Sequence, residues 1–172
     1  GMIGRRFPKM RCRLAPDRNR WFQPRECKRQ TRDANDSGGN QMPVINRMAE
    51  LHDDIAAWRP EFHSEPELLY DVHATAARVA ERLRSFGCDE VVEGIGRTGV
   101  VGVIRGRSPG GAIGLRADMD ALPIEEQTGK PWASKIPGKM HAGGHDGHTA
   151  MLLGAARYLA ETRNFSGSAV VI

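Results

Sequence analysis

The stretch TGVVGVIRGRSPGGAIGLRADMDALP, residues 98–123, contains two apolar segments separated by glycines and a proline. The segments near 98–106 and 111–119 are rich in Val, Ile and Leu, which predicts two short strands with a turn between them. DEVVEGI at 89–95 predicts a strand before them, and SAVVI at 168–172 predicts another after them. These four segments together indicate a sheet.

Helical patterns lie on both sides of these strands. Apolar residues between Val44 and Trp58 recur at spacings of three and four, which predicts a helix that Pro60 ends. The same periodicity predicts a helix over 72–86 and another over 147–162, after a loop at 121–144. Helices and strands in this order predict an α/β domain, a layered sheet with helices on its faces.

The positive charge of the chain is concentrated at its N-terminus. The net charge is +4, and residues 1–41 hold 11 Lys and Arg against 4 Asp and Glu. This segment lacks sustained periodicity and predicts a basic, disordered tail, with residues 42–172 forming the domain. The alternative is contact with nucleic acid through the arginines, Trp21 and Phe22. We favour the solvated tail.

Neither export nor membrane insertion is indicated. GMIGRRFPKMRCRL interrupts its apolar residues with arginines, unlike the apolar core of a signal peptide. The apolar run at 150–156 is far shorter than the ~18 residues of a membrane-spanning helix. Cys12, Cys27 and Cys88 are too scattered for a disulfide framework, which indicates a reducing cytoplasm.

The stretch MHAGGHDGHTAML, residues 140–152, concentrates groups that bind divalent metals. These groups are His141, His145, Asp146 and His148. His141 and His145 are four apart, as in helical zinc proteases, but the intervening Ala-Gly-Gly disfavours a helix and no Glu follows His141. Gly143 and the glycine after it allow a loop to wrap an ion. Alternatively, Asp146 caps a helix that begins near Gly147. The spacing leaves both interpretations open.

A second acidic cluster follows the strand predicted over 111–119. Asp118 and Asp120 are two residues apart, so both carboxylates can face one pocket at the end of the strand. One of them could bind metal while the other orients a histidine ligand. The alternative is a surface turn with Pro123. A weaker cluster, FHSEPEL, contains His63 and favours a loop before the next helix.

Four segments together resemble a known enzyme family. They are FHSEPEL (62–68), GIGRTGVVGVIRG (94–106), IGLRADMDALPIEEQTG (113–129) and MHAGGHDGHTAMLLGAARYL (140–159). The resemblance is to hippurate hydrolases and N-acyl-amino-acid amidohydrolases of the aminoacylase and carboxypeptidase family of dinuclear metallopeptidases. It implies amide hydrolysis of small N-acyl amino acids, two Zn²⁺ or Mn²⁺ ions with a bridging water, and a catalytic domain whose inserted domain often dimerises. A homo-oligomer is therefore possible.

The resemblance also implies roles for individual residues. The family loop MHACGHDGH supplies a cysteine ligand and then a histidine ligand. His145 takes the histidine position, whereas Gly143 stands at the cysteine position and has no donor atom. Asp118 and Asp120 match the acidic loop that supports the ligands.

The resemblance also predicts that this chain is incomplete. In the family, a strand like SAVVI continues into a paired-glutamate segment that supplies the general base, and the sequence stops at Ile172. The expectation is the N-terminal part of an amidohydrolase catalytic domain, inactive by itself. The alternative function is a non-catalytic binding or assembly module.

Overall fold

The computed structural model describes residues 46–172. The predicted basic tail, residues 1–41, and the domain boundary at 42 lie outside these residues. The elements are α1 (Asn46–Glu50), α2 (His52–Ser64), α3 (His73–Ser85), β1 (Glu90–Ile95), β2 (Gly99–Arg105), β3 (Ser108–Leu115), α4 (His145–Thr162) and β4 (Ser166–Val171). The predicted α/β class is confirmed.

The four strands form one mixed sheet in the order β1-β2-β4-β3. β1 pairs with β2 and β2 with β4 in antiparallel register, whereas β3 and β4 are parallel. The parallel pairing follows from the crossover through α4, which returns the chain to the same end of the sheet. As a result, β1, β3 and β4 all end at the same end of the sheet, which is where β2 begins.

The helices cover the sheet face that carries the buried side chains. Burial alternates along β2, so that Val100, Gly102 and Ile104 are buried while the other residues of the strand are half-buried or, at Arg105, exposed. Val100 and Ile104 belong to one core cluster with residues of α3 and α4, including Leu83 and Leu153. The hydrophobic core therefore lies between one sheet face and the helices, as the period-2 pattern requires.

Several predicted boundaries were wrong. Pro60 lies inside α2 rather than at its end, because the next residues are held by the core: Phe62 is 1% exposed and His63 is 7% exposed. Burial there outweighs the ~3 kcal/mol that an interior proline costs. β3 begins at Ser108, so the predicted turn GRSPGG is largely strand. α4 begins at His145, two residues earlier than predicted.

None of the helices in residues 46–172 is long and apolar enough to cross a bilayer.

Two of the helices, α2 and α4, pack closely at a glycine. A Cβ added at Gly154 would collide with Ile55 Cδ1 and lie 2.8 Å from its Cγ1. The absence of a side chain at this position therefore sets how closely the two helices approach.

We expect Gly154→Val to lower the free energy of unfolding by ~1 to 3 kcal/mol, the usual cost of overpacking a core. The matched test is a double-mutant cycle with Ile55→Ala, measured by urea unfolding. Because Ile55 is the residue displaced, the penalty of the valine should shrink in the Ile55→Ala background. Equal penalties in both backgrounds would contradict the proposed contact.

Candidate metal and catalytic site

The predicted histidine and acidic residues meet where β3 ends and α4 begins. His145 Nδ1 lies 2.9 Å from Oδ1 of Asp120 and 2.9 Å from its backbone oxygen. Both oxygens only accept hydrogen bonds, so the neutral imidazole carries its proton on Nδ1. The lone pair on Nε2 is left for a ligand. A carboxylate that fixes the tautomer in this way is typical of histidines that bind metals.

Asp118 lies on the same segment but makes different contacts. Its Oδ1 accepts a hydrogen bond from Arg116 Nη2 at 2.5 Å, and its backbone oxygen accepts one from Thr149 Oγ1 of α4 at 3.2 Å. Asp118, Asp120 and His145 all line one cavity of about 560 Å³. Both aspartates thus line one pocket, but strand alternation is not the reason, because β3 ends at Leu115 and Met119 between them lines the pocket as well.

Gly143 lies beside the free nitrogen of His145. Its φ is outside the left-handed region, so a residue with a side chain can adopt this backbone. A Cβ there would lie 3.8 Å from His145 Nε2 and 4.0 Å from Leu122 Cδ1, which are ordinary contacts. Gly144, in contrast, has φ +83° at the start of α4 and does require glycine. A cysteine therefore fits at 143 without rebuilding the loop.

Asp146 does not cap α4, contrary to one of the two interpretations of the sequence. It lies inside the first turn with its side chain fully buried. Its Oδ2 accepts hydrogen bonds from His63 Nδ1 at 2.9 Å and from Arg59 Nε at 3.0 Å. Burial raises the pKa of the Asp146 carboxyl, but these bonds outweigh burial and the pKa lies below its ordinary value. Asp146 is therefore a buried carboxylate that joins α4 to α2.

His63 continues this network to the loop that precedes the metal stretch. Its Nε2 lies 3.2 Å from both carboxylate oxygens of Glu126, which also accepts the Ser134 backbone N–H at 2.6 Å. His63 therefore lies between two carboxylates, with Asp146 at Nδ1 and Glu126 at Nε2. The chain Arg59–Asp146–His63–Glu126 thus links α2, the loop and α4.

This network contains residues beside the candidate site that sequence reasoning missed. His63 was predicted to lie in a loop, and Arg59 and Glu126 were not singled out. The only available signals were FHSEPEL and the paired glutamates in PIEEQ, both within the family-like motifs. Partners 63 and 83 residues apart leave no local periodicity that would reveal them.

The two other histidines of the stretch 140–152 differ in burial. His141 is 4% exposed, and neither of its ring nitrogens has a hydrogen-bond partner among the described residues. Burial lowers the pKa of His141, which favours the neutral ring. His148 is exposed, with its ring centroid 5.8 Å from that of His145. Both lie near the predicted loop, and their roles stay predictions.

The described residues alone do not complete a metal site. Within residues 46–172, no group of three or more His, Cys, Asp and Glu side chains is arranged to hold an ion. His145 fits a ligand, because its Nε2 is free and its ring is oriented. Gly143, next to that nitrogen, adds no donor. One oriented nitrogen is short of the three or four protein ligands of a zinc site.

We expect Glu126→Gln to lower the free energy of unfolding by ~1 to 3 kcal/mol near neutral pH, since it weakens buried hydrogen bonds to a charged group. The hydrogen bond from Thr128 and the Ser134 N–H hold the pKa of Glu126 below its ordinary value, although burial opposes them. The folded pKa is thus lower than the unfolded value of ~4.3. Stabilisation is complete above that value and is lost as the pH falls through the folded pKa.

The difference between the native chain and Glu126→Gln should therefore narrow below about pH 4, as measured by urea unfolding at a series of pH values. Glu81→Gln, at an exposed position of α3, is the matched control. A penalty that stays constant through the acid range would show that the ionised Glu126 carboxylate is not what stabilises the loop.

Comparison with known proteins places this geometry in a family. Residues 114–172 match the model of Peptidase family M20/M25/M40, and they include Asp118, Asp120, Gly143 and His145. The solved structure of the Bacillus subtilis protein YXEP, described as a dinuclear metal-binding peptidase from the M20 family, superposes with a TM-score of 0.68 and 38% identity. This match covers 72% of the present chain and 35% of that protein.

Curated relatives are also similar. The hippurate hydrolase of Campylobacter jejuni is 49% identical over 127 residues, which is 74% of this chain and 33% of the relative. The N-acyl-L-amino acid amidohydrolase of Geobacillus stearothermophilus is 47% identical over 115 residues, covering 67% of this chain and 31% of the relative. The chain spans about a third of the length of these relatives. It therefore carries part of a domain of the M20 peptidase family, whose matched relatives are hydrolases.

Proposed function

We propose that this chain is part of a metal-dependent hydrolase that cleaves the amide bond of small N-acyl amino acids, such as hippurate. Its complete site would hold two divalent ions, Zn²⁺ or Mn²⁺, and would act in the cytoplasm, which the few scattered cysteines favour. The names of the relatives support the substrate class, because they include a hippurate hydrolase and an N-acyl-L-amino acid amidohydrolase.

The observation that carries this proposal is the hydrogen bond from His145 Nδ1 to Asp120. It orients the ring and leaves Nε2 free, and His145 lines a cavity at the end of the sheet where α/β proteins commonly bind ligands. Asp120 would keep this tautomer, and Asp118 would line the same cavity as a second acidic group. The Asp146–His63 pair would hold the loop that carries His145.

We further propose that the 172-residue chain is inactive by itself. One oriented nitrogen in residues 46–172 does not make a dinuclear site, and Gly143 contributes no ligand. Asp118 and Asp120 are supporting residues in this proposal. His141, Asp146 and His148 lie in the site loop without an assigned catalytic step.

Metal binding tests the site directly. We expect Gly143→Cys to bind Zn²⁺ and Mn²⁺ at least ~10-fold more tightly than the native chain, since even the loss of a supporting contact commonly costs that much affinity. Calorimetry gives the affinity, and thiolate-to-Co²⁺ charge-transfer absorption reports whether the sulfur is a ligand. Gly143→Ala is the matched control because it adds the Cβ without the thiol. Equal binding by the alanine and cysteine variants would contradict the assignment of position 143.

Activity is tested by a chimera. Residues 46–172 would replace the matching segment of the Campylobacter jejuni hippurate hydrolase, and hydrolysis of N-benzoylglycine would be followed by glycine release. We expect the chimera with Gly143→Cys to hydrolyse the substrate and the one with Gly143 to be at least ~10-fold slower. A folded cysteine chimera without activity would count against the amidohydrolase proposal. Turnover by the purified 172-residue chain would contradict its predicted inactivity.

One observation favours the alternative function, a binding or assembly module that includes a homo-oligomer. β3 is at the edge of the described sheet, and Ile113 on it is 61% exposed. An edge strand with an exposed apolar side chain can pair with another chain. An assembly role predicts that the chain self-associates in light scattering with size-exclusion chromatography. A stable monomer at high concentration would argue against this role.

A further inference from the structure

The cavity beside His145 has an apolar side as well as a polar one. It occupies about 560 Å³ at the end of the sheet where β1 and β3 end and β2 begins. Asp118, Asp120 and His145 are among its polar lining residues, and Leu69, Tyr70 and Ile95 are among its apolar ones. The candidate site and these three side chains therefore share one continuous space.

These apolar side chains are unusually exposed for their size. Leu69 is 72% exposed, Tyr70 is 71% exposed and Ile95 is 52% exposed. Single exposed apolar residues are common, but a group of them around one cavity marks a ligand or interaction site. Their common position beside His145 favours a ligand of the same site.

Hydrogen bonds hold this apolar group next to the acidic segment. Ala121, the residue after Asp120, donates its backbone N–H to the backbone oxygen of Glu67 at 2.7 Å. Thr98, which is 6% exposed, donates from Oγ1 to the backbone oxygen of Tyr70 at 2.8 Å. The segment with Leu69 and Tyr70 is thus tied both to the site segment and to the β1–β2 hairpin.

The backbone also presents Leu69 in an uncommon conformation. Its φ is +54°, in the left-handed region that leucine seldom adopts, while the Asp71 N–H donates to the Leu68 oxygen at 3.1 Å and closes a turn. Ile95 is the last residue of β1, after a register shift between Glu93 and Ile95. Leu69 therefore lies in a turn and Ile95 lies at the end of a strand, and both residues line the cavity.

We propose that Leu69, Tyr70 and Ile95 form an apolar wall that accepts the acyl group of the substrate and selects an aromatic or branched acyl chain over a small one. This inference rests on the proposed function and deepens it. The amide would lie near His145 and Asp120, and the acyl group would lie against the wall. The wall makes these three residues determinants of specificity, with no part in the chemical step.

Binding to the full 172-residue chain tests the wall without requiring turnover. The probes are N-benzoylglycine and N-acetylglycine, compared by ligand-observed NMR titration. Because a partly buried phenyl ring removes a large apolar area from water, we expect N-benzoylglycine to bind about tenfold more tightly. Similar binding of the two probes would overturn the proposal.

Matched variants locate the preference. Ile95→Ser should remove most of it, whereas Ile113→Ser, the same change at an exposed residue of β3 outside the cavity lining, should leave it unchanged. Leu69→Ser is a second wall variant, and circular dichroism confirms that each variant is folded. The proposal is overturned if both wall variants keep the preference. If these variants also convert a dimer into a monomer, the three residues form a contact between chains instead.

The result is separable from that of the chimera. Loss of the preference in Ile95→Ser, together with an inactive cysteine chimera, would support the wall while refuting the hydrolase. An active chimera, together with wall variants that bind both probes as the native chain does, would support the hydrolase and refute the wall.

Discussion

A carboxylate buried in the first turn of α4 constrains the arrangement around it. An ionised carboxylate is strongly destabilised away from water unless donors and charge compensate it. Asp146 is fully buried, and its partners Arg59 and His63 both come from α2. The start of α4 must therefore lie against the second half of α2. This requirement also accounts for the continuation of α2 beyond Pro60, because a helix that ended there would not place His63 opposite Asp146.

The same network reaches the loop between β3 and α4. His63 contacts Glu126, and Glu126 accepts the Ser134 N–H, so a long segment without regular structure is held at both of these points. The segment after β3 is also held to α4, because Thr149 Oγ1 donates to the backbone oxygen of Asp118. His145 is the first residue of α4, directly before Asp146. The hydrogen bond from His145 to Asp120 therefore depends on the packing of α2, the loop and the segment after β3 against the start of α4.

Local sequence predicted the elements better than the contacts between them. β1, β2, β4 and α3 follow from alternation and from apolar spacings of three and four, so their positions were close to those predicted, whereas β3 begins and ends earlier in the chain than predicted. Pro60 misled because its local cost is outweighed by burial of residues that follow it. Asp146 fitted a capping role locally, but its partners lie 83 and 87 residues away. The buried network could not be read from periodicity, since each of its hydrogen bonds joins segments that are distant in sequence.

The geometry of the loop that carries His145 and its proposed capacity to bind metal depend on different residues. The loop is positioned by Asp146, by Gly144 with its left-handed backbone, and by the Asp120–His145 hydrogen bond. None of these contacts uses a side chain at 143. Replacement of a cysteine by glycine at 143 therefore removes a donor atom and leaves these contacts in place. For this reason the chain keeps an oriented His145 without a donor atom at 143, as the proposed loss of a cysteine ligand there requires.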